Sequence, residues 1–178
     1  MKLLRTIRLD PSDTFVFERA AEPGEWAVPG AFVFARSDFA ALEGRRRAAF
    51  RSGFLGVDSF GWSTLVQVVD AGPDDRLAAV ELLARRLVER FGAPNIDAAM
   101  PAAEEEIAFA ASLADHPKGM LVAMARKHED GAIREAFRTL TPSVGPKPLK
   151  AYVFLEVVGE EEPADEVDLL SLGKGERR

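Results

Sequence analysis

Residues 73–117 of the chain read PDDRLAAVELLARRLVERFGAPNIDAAMPAAEEEIAFAASLADHP, and this stretch predicts two consecutive helices. The side chains that repeat at helical spacing in the first helix are Leu77, Val80, Ala84, Leu87, Val88 and Phe91. This helix ends at Gly92, because glycine favours the residue after a helix. The second helix begins near Asp97 or Met100 and stops at His116-Pro117. We therefore expect an αα-hairpin.

Apolar segments with strand character lie on both sides of these helices. They are residues 2–9, 14–19, 26–34 and 63–69 before the helices, and residues 120–126 and 149–158 after them. Turn signals at Asp10-Pro11-Ser12-Asp13 and Glu22-Pro23-Gly24-Glu25 predict that the first three strands form a β-meander. Residues 37–53 look helical, although Gly44 and the arginines after it make two short helical pieces equally compatible with the pattern.

Residues 132–140 are compatible with two structures. Apolar residues such as Ile133, Phe137 and Leu140 fit a helix, whereas the turn signal Glu129-Asp130-Gly131 just before them favours the second strand of a hairpin. We favour the strand, which makes the element order β-β-β-α-β-α-α-β-β-β. Strands then outnumber crossover helices, so we predict an α+β fold with a mostly antiparallel or mixed sheet covered by helices.

The length and the charge distribution indicate one globular domain followed by an acidic segment. A chain of 178 residues with 47% hydrophobic residues can bury a core without disulfides or metal. Of the net charge of −6, residues 156–178 carry −5. We expect a single α+β domain over residues 1–158 and a disordered tail over residues 159–178. Because the rest of the chain is nearly neutral, nucleic-acid binding is not expected.

The composition excludes several classes of protein. The chain has no cysteine, which excludes disulfides, thiolate metal sites and cysteine nucleophiles. Charged residues interrupt the first ten positions, so these do not predict a signal peptide, and no apolar run approaches the ~20 residues of a membrane span. We expect a soluble, cytoplasmic protein that does not bind membranes and uses no cofactor.

Histidines and clustered glutamates are the candidates for acid–base chemistry. Glu105 and His116 share a helix face, but the helical rise separates their backbones by about 16 Å, so we expect no metal site. Adjacent helix residues point about 100° apart, so the carboxylates of Glu104-Glu105-Glu106 cannot all face one cleft. We expect them to form a solvated face, although one of the three could point inward. Glu105 and His116 are the acid–base candidates.

The glycine-rich stretch GFLGVDSFGWST at residues 53–64 has no known phosphate-binding or nucleophile motif. It lacks the GxGxxG spacing, a P-loop lysine and the second glycine of a GxSxG elbow. It also precedes a strand, whereas those motifs follow one. We expect a tight connector whose aromatic side chains enter the core. Alternatively, it lines a ligand site with Phe60 and Trp62.

A dense basic cluster surrounds Arg45-Arg46-Arg47 and Arg51. Arginine binds carboxylates and phosphates through two parallel hydrogen bonds, and Arg47 and Arg51 can share a helical face. One interpretation is a solvated face, shielded by the acidic tail of the same chain. The other is a site for an anionic ligand or an acidic partner, with Arg46, Arg47 and Arg51 as the anion-binding residues.

Several short motifs resemble those of a family of small bacterial proteins of unknown function. They are RTIRLD (5–10), AEPGEWAV (21–28), GFLG (53–56) with SFG (59–61), FGAP (91–94), EEEIAF (104–109) and DG (130–131) with IRE (133–135) and FR (137–138). The likeness covers residues 1–140. It implies a bacterial, cytoplasmic accessory protein and supplies no catalytic residue.

With no strong catalytic motif, the sequence favours a non-enzymatic binding or accessory protein that acts through protein–protein contacts, as a homodimer. The motivation is the set of candidate edge strands, which a partner could cover. The alternative is a small enzyme or ligand-binding domain for an anionic metabolite. In either case we expect the polar side chains to lie on separate surfaces, without gathering in one buried site.

Overall fold

The computed structural model describes residues 1–142 and 155–157 of the chain. The predicted acidic tail and most of the predicted last strand lie outside these residues. The elements in chain order are β1 (Lys2–Ile7), α1 (Ser12–Val16), β2 (Ala27–Val28), two 3-10 turns (Ala31–Phe34 and Phe39–Ala41), α2 (Gly44–Ser52), β3 (Phe54–Gly56), β4 (Trp62–Ser63), β5 (Leu65–Asp70), α3 (Pro73–Phe91), α4 (Ile96–Leu113), β6 (Leu121–Glu129), β7 (Ala132–Pro142) and β8 (Leu155–Val157).

A five-stranded antiparallel sheet in the order β1-β5-β6-β7-β8 is the centre of the fold. The β6–β7 hairpin pairs Leu121 with Leu140 at one end and Glu129 with Ala132 at the other. Asp130 and Gly131 form its turn at φ of 52° and 77°, as a two-residue turn with two left-handed positions requires. The prediction of a strand over residues 132–140 is therefore confirmed.

The predicted αα-hairpin is confirmed and supplies one wall of the core. Helix α3 ends where Gly92 adopts a left-handed φ of 73°. Helix α4 begins at Ile96, beside Asp97, which is the earlier of the two expected starts, because the Asn95 side chain caps the helix by accepting a hydrogen bond of 2.9 Å from the amide of Ala98. The side chains that both helices bury with the sheet are Ala79, Val80, Leu83, Ala84, Ala99, Ala103, Ile107, Ala110, Val66, Val68, Val122 and Met124.

A second, three-stranded antiparallel sheet in the order β2-β3-β4 packs against the same core. It pairs Ala27 with Gly56 and Leu55 with Trp62. The described residues therefore form an α+β fold with two antiparallel sheets, which confirms the predicted fold class.

The predicted β-meander near the N-terminus is wrong. Residues predicted as the second strand form the short helix α1, in which Phe15 is 70% exposed, while Phe17 after it is buried. The third strand is reduced to β2, because Pro29 has no amide proton to donate and Gly30 turns the chain at a left-handed φ of 79°. Strand propensity is overridden here by local turn geometry.

The region between the 3-10 turns and β5 is more finely divided than the sequence indicates. Residues 37–53 form two helical pieces, one of the two structures expected. The predicted loop over residues 53–61 includes β3. The predicted strand over residues 63–69 is split into β4 and β5 at Thr64, whose amide and hydroxyl both donate to the buried carboxylate of Asp13.

Among the described residues, neither α3, α4 nor any shorter helix combines the length and apolarity needed to cross a membrane.

Candidate functional site

Helix α2 carries the basic cluster on its outer surface. Its buried side chains are Ala49 and Phe50, which belong to a small aromatic core with Phe17, Phe34 and Leu42. All four arginines of the helix are exposed: Arg45, Arg46, Arg47 and Arg51. The inward face of α2 is thus aromatic and its outward face is positively charged.

These four arginines have no ionic partner among residues 1–142. Every ion pair in this part of the chain uses other basic side chains, such as Arg86 with Asp58 and Lys118 with Asp70. The fifth exposed arginine nearby, Arg36, is also outside those pairs. Arginines that form no ion pair with their own chain can accept an anion from another molecule.

A small cleft lies where α2 meets the aromatic core. Its volume is about 60 Å³, which holds a few water molecules. Its lining residues are Glu18, Val33, Phe34, Arg45, Arg46, Ala49 and Trp62. Two residues proposed from the sequence, Arg46 and Trp62, therefore meet in one cleft, while Arg47, Arg51 and Phe60 do not line it.

The glycine-rich turn after β3 is held by the carboxylate of Glu25. One oxygen of Glu25 accepts hydrogen bonds from the amides of Asp58 and Ser59, at 3.0 and 2.8 Å, and the other accepts from the amide of Glu22 at 2.7 Å. A Cβ at Gly56 would lie 2.6 Å from the same carboxylate. The turn is thereby tied to the Glu22–Glu25 turn.

Close packing explains the other glycines of this stretch. A Cβ at Gly61 would lie 2.5 Å from the carbonyl oxygen of Ala20, and one at Gly53 would lie 2.8 Å from both Ala49 and the Trp62 ring. At Gly53 and Gly61 the chain therefore packs so closely against Ala49, Trp62 and Ala20 that no ligand fits between them. This is the tight connector expected from the sequence.

Phe60 lies in a different aromatic group, at the end of α3. Its ring contacts Phe32 and Phe91 at centroid distances of 6.5 and 5.8 Å, and the Arg90 guanidinium lies 5.0 Å from its centroid. Phe60 has a left-handed φ of 59°, which is unusual for a bulky side chain. It does not contribute to the cleft beside α2.

A buried arginine, Arg126 on β6, organises the region beneath α2. Its side chain is 0% exposed, and its Nε donates to Glu135 Oε1 at 2.8 Å. The Nη atoms donate to three backbone carbonyls, those of Phe50 at 2.8 Å, Gly53 at 3.5 Å and Pro29. Burial lowers the pKa of Arg126, whereas the charges of Glu135 and Glu106 raise it. Four of its five N–H groups thus bridge β6 to β7, to the end of α2 and to the chain after β2.

Glu106 on α4 is the third charged residue of this buried group. Desolvation, then the charge of Glu135 and that of Glu105, raise the pKa of Glu106 to about 7, against a smaller opposing effect of Arg126. Its Oε2 atom is buried and has no hydrogen-bond partner. Glu106 is therefore the inward-pointing member of the three consecutive glutamates, while Glu105 is exposed.

The acid–base candidates Glu105 and His116 do not form a site together. Glu105 lies on the exposed side of α4, and His116 follows the helix, where its carbonyl accepts a 2.7 Å hydrogen bond from Lys2 Nζ. The other histidine, His128, stacks on the ring of Phe39 at a centroid distance of 4.0 Å. In residues 1–142 and 155–157, no three His, Asp or Glu side chains are arranged to hold a metal ion.

Sequence reasoning missed Arg126 and Glu135, and it selected Glu105 where Glu106 is the partly buried acid. A signal was present in β6, because Arg126 continues the inward alternation of Val122 and Met124. A charged side chain at an apolar position of a strand points to a buried ionic partner. Glu106 likewise continues the α4 face of Ala99, Ala103 and Ala110, to which Glu105 does not belong.

Comparisons with known proteins place the chain by family alone. Searches of curated proteins and of solved structures each returned no match. A family model matches residues 1–149, which is most of the chain and includes every motif quoted above. The resemblance to a family of unknown function is thereby confirmed. The chain belongs to the family of unknown function DUF6505.

Proposed function

We propose that the chain is a binding protein that acts through protein–protein contacts and that α2 receives an acidic segment of its partner. The observation that carries this proposal is the set of four exposed arginines on α2, none of them paired with a carboxylate among the described residues. Unpaired guanidinium groups on one short helix match a row of carboxylates on another chain.

The cleft beside α2 supports an acidic segment with an apolar anchor. Trp62 and Phe34 provide its apolar wall, and the two arginines Arg45 and Arg46 outnumber the one carboxylate, Glu18, in its lining. In this arrangement an apolar partner side chain covers Trp62 at the surface while neighbouring carboxylates meet the arginines. Aromatic and arginine residues are also the types most enriched where partner proteins bind.

The small size of the cleft argues for a partner protein over a metabolite. Sites for small molecules commonly enclose about 300–1,000 Å³, whereas this cleft has about 60 Å³. The adjacent glycine-rich turn is held by Glu25 and by close backbone packing. An extended acidic peptide needs no deep cavity, because it binds along the surface.

A labelled peptide of alternating glutamate and leucine is a direct probe of this proposal. We expect it to bind the wild-type protein with an affinity that falls as salt is added, since exposed charges are screened. The double variant Arg45→Gln/Arg46→Gln should weaken binding by about 2- to 30-fold, because each exposed ion pair contributes about 0.2–1 kcal/mol. Fluorescence anisotropy measures both effects.

The matched control is the double variant Arg134→Gln/Arg138→Gln, which removes the same charge from exposed positions on β7. It should bind the peptide like the wild type. Equal weakening by both double variants would show a general charge effect and would contradict a specific surface on α2. An affinity for the peptide that is unchanged by Arg45→Gln/Arg46→Gln would also refute the proposal.

The alternative is a small enzyme or ligand-binding domain for an anionic metabolite, and the meeting of Arg46 with Trp62 in one cleft supports it. Thermal unfolding in the presence of inorganic phosphate, citrate and nucleotides tests this alternative. A ligand that binds the native state must raise the melting temperature. A rise that the α2 double variant abolishes would favour a metabolite over an acidic protein segment.

We also propose that the protein self-associates and that it works in the bacterial cytoplasm. Self-association is supported by large apolar side chains that are exposed on α3 and α4: Leu77, Phe91, Ile96 and Phe109. The absence of cysteine fits a reducing compartment. Light scattering of the purified protein measures the mass in solution, and a monomer at all concentrations would contradict self-association.

A further inference from the structure

Arg126 links β6 to two separate parts of the backbone, the C-terminal end of α2 and the residue after β2. Through its guanidinium, the carbonyls of Pro29, Phe50 and Gly53 are all held by one side chain. Phe50 and Gly53 lie at the C-terminal end of α2, and Pro29 follows β2. The Arg126 guanidinium also lies 5.8 and 5.9 Å from the ring centroids of Phe34 and Phe50. The position of α2 on the sheet therefore depends on where this guanidinium lies.

The net charge of the group formed by Arg126, Glu135 and Glu106 depends on whether Glu106 carries a proton. Glu135 on β7 is its ionic partner, with a side chain only 13% exposed. The carboxyl group of Glu106, on α4, interacts electrostatically with both Arg126 and Glu135. The exposed Glu105 precedes it on the same helix. When Glu106 is neutral, the buried group has one carboxylate and one guanidinium. When Glu106 is ionised, two carboxylates compete for one guanidinium.

We infer that a proton on Glu106 controls how Arg126 holds the C-terminal end of α2. When Glu106 is protonated, Arg126 donates its hydrogen bonds to Glu135 and to the three carbonyls. In the ionised state, the second carboxylate attracts the guanidinium and leaves the buried group with an unbalanced negative charge. Such a charge is costly away from water, so the structure relieves it by shifting Arg126 or by admitting water between α4 and β7.

The buried, unpartnered oxygen of Glu106 supports this inference independently of charge. Among the residues that the structure describes, no donor reaches Glu106 Oε2, so this oxygen of the ionised carboxylate has neither a protein donor nor direct contact with solvent. Four of the five N–H groups of Arg126 donate to Glu135, Phe50, Gly53 and Pro29, and none of these four bonds reaches Glu106. Glu106 therefore gains a donor only if the Arg126 guanidinium moves toward it or if water enters.

An NMR titration of the full chain tests the inference without any binding partner. The carboxyl carbon of Glu106, the Nε–H of Arg126 and the backbone amides of residues 50–53 are followed from pH 5 to pH 9. We expect all three sets of signals to change with one midpoint, near the Glu106 pKa of about 7. In the variant Glu106→Gln, which keeps the size of the side chain, the Arg126 and α2 transitions should be lost.

The control variant is Glu105→Gln, which removes the same charge from the neighbouring exposed residue of α4. It should leave the transitions of Arg126 and residues 50–53 in place, with at most a small shift of the midpoint. The inference is overturned if Glu106 titrates in the ordinary range of glutamate, or if Arg126 and α2 do not respond when Glu106 titrates. It is equally overturned if Glu106→Gln leaves their transitions intact. None of these outcomes depends on whether α2 binds an acidic segment.

Discussion

Arg126 and Glu135 face each other across the β6–β7 hairpin and form a buried ion pair, with Arg126 Nε 2.8 Å from Glu135 Oε1. Their Cα atoms are paired in the register of the hairpin, so the position of the turn at Asp130-Gly131 sets the meeting of the two side chains. The remaining donors of Arg126 reach backbone carbonyls outside the hairpin. The register of the β6–β7 hairpin thus positions Arg126, which in turn contacts backbone far outside the hairpin.

Replacing Arg126 by methionine should destabilise the protein strongly. The substitution leaves Glu135 buried without its cation and releases three carbonyls, and removing one partner of a buried pair costs about 3–5 kcal/mol. Urea unfolding followed by circular dichroism measures the free energy of unfolding. The exposed Arg138→Met serves as the control and should change it by less than about 0.5 kcal/mol. A small effect of Arg126→Met would show that the buried bridge contributes little.

The variant Glu106→Gln should stabilise the protein more at alkaline than at acidic pH. Burial raises the pKa of Glu106 to about 7 from 4.5 in the unfolded chain, so the folded state binds its proton more tightly. The corresponding stability is present below pH 4.5 and is lost as the pH rises to about 7. We therefore expect Glu106→Gln to gain about 1–3 kcal/mol more at pH 8 than at pH 4. Unfolding curves at both pH values measure this, and an equal effect at the two would contradict the raised pKa.

Replacing Glu25 by alanine should loosen the turn at Asp58-Ser59. The substitution removes the acceptor of both amides, and hydrogen bonds to a charged group contribute about 1.5–3 kcal/mol each when they are well formed. Because these amides are partly accessible to water, we expect a total loss of about 1–3 kcal/mol. Amide hydrogen exchange should accelerate at Asp58 and Ser59. The control Glu22→Ala, whose exposed carboxylate forms none of these bonds, should leave their exchange unchanged.

Gly61→Ala tests the close backbone packing beside β4. The added methyl group would lie 2.5 Å from the carbonyl oxygen of Ala20, so the two segments would have to separate. Overpacking of this kind typically costs about 1–3 kcal/mol. At Gly72 the same substitution meets only an atom at 3.6 Å, which is an ordinary contact. Thermal unfolding should therefore show a lower melting temperature for Gly61→Ala than for Gly72→Ala, and equal values would refute the steric explanation.

The regular elements were predictable where a periodic pattern and an end signal agreed. The helices α3 and α4 combine apolar spacing with Gly92 and Pro117, and the hairpin β6–β7 has its Asp130-Gly131 turn. Residues 14–34 were not predictable in the same way. Their aromatic side chains resemble those of strands, but Asp13 binds Thr64 and Gly30 adopts a left-handed turn. These features depend on distant residues or on backbone conformation.

The candidate site also has parts that the sequence predicts and parts that depend on tertiary structure. The sequence shows the arginine cluster directly, because its members are consecutive or one turn apart. It does not show that Arg46 meets Trp62, or that Glu106 rather than Glu105 points inward toward Arg126 and Glu135. Both arrangements depend on how α2 and α4 are oriented on the sheet.

The sequence by itself determined the helical hairpin, the β6–β7 turn and the positive charge of α2, since each follows from residues that are close in the chain. Only the tertiary structure decided that Glu106 is the glutamate partly removed from water and that Arg126 is the buried arginine. Desolvation depends on what packs around a side chain, and for Glu106 and Arg126 the surrounding groups come from elements far apart in the sequence.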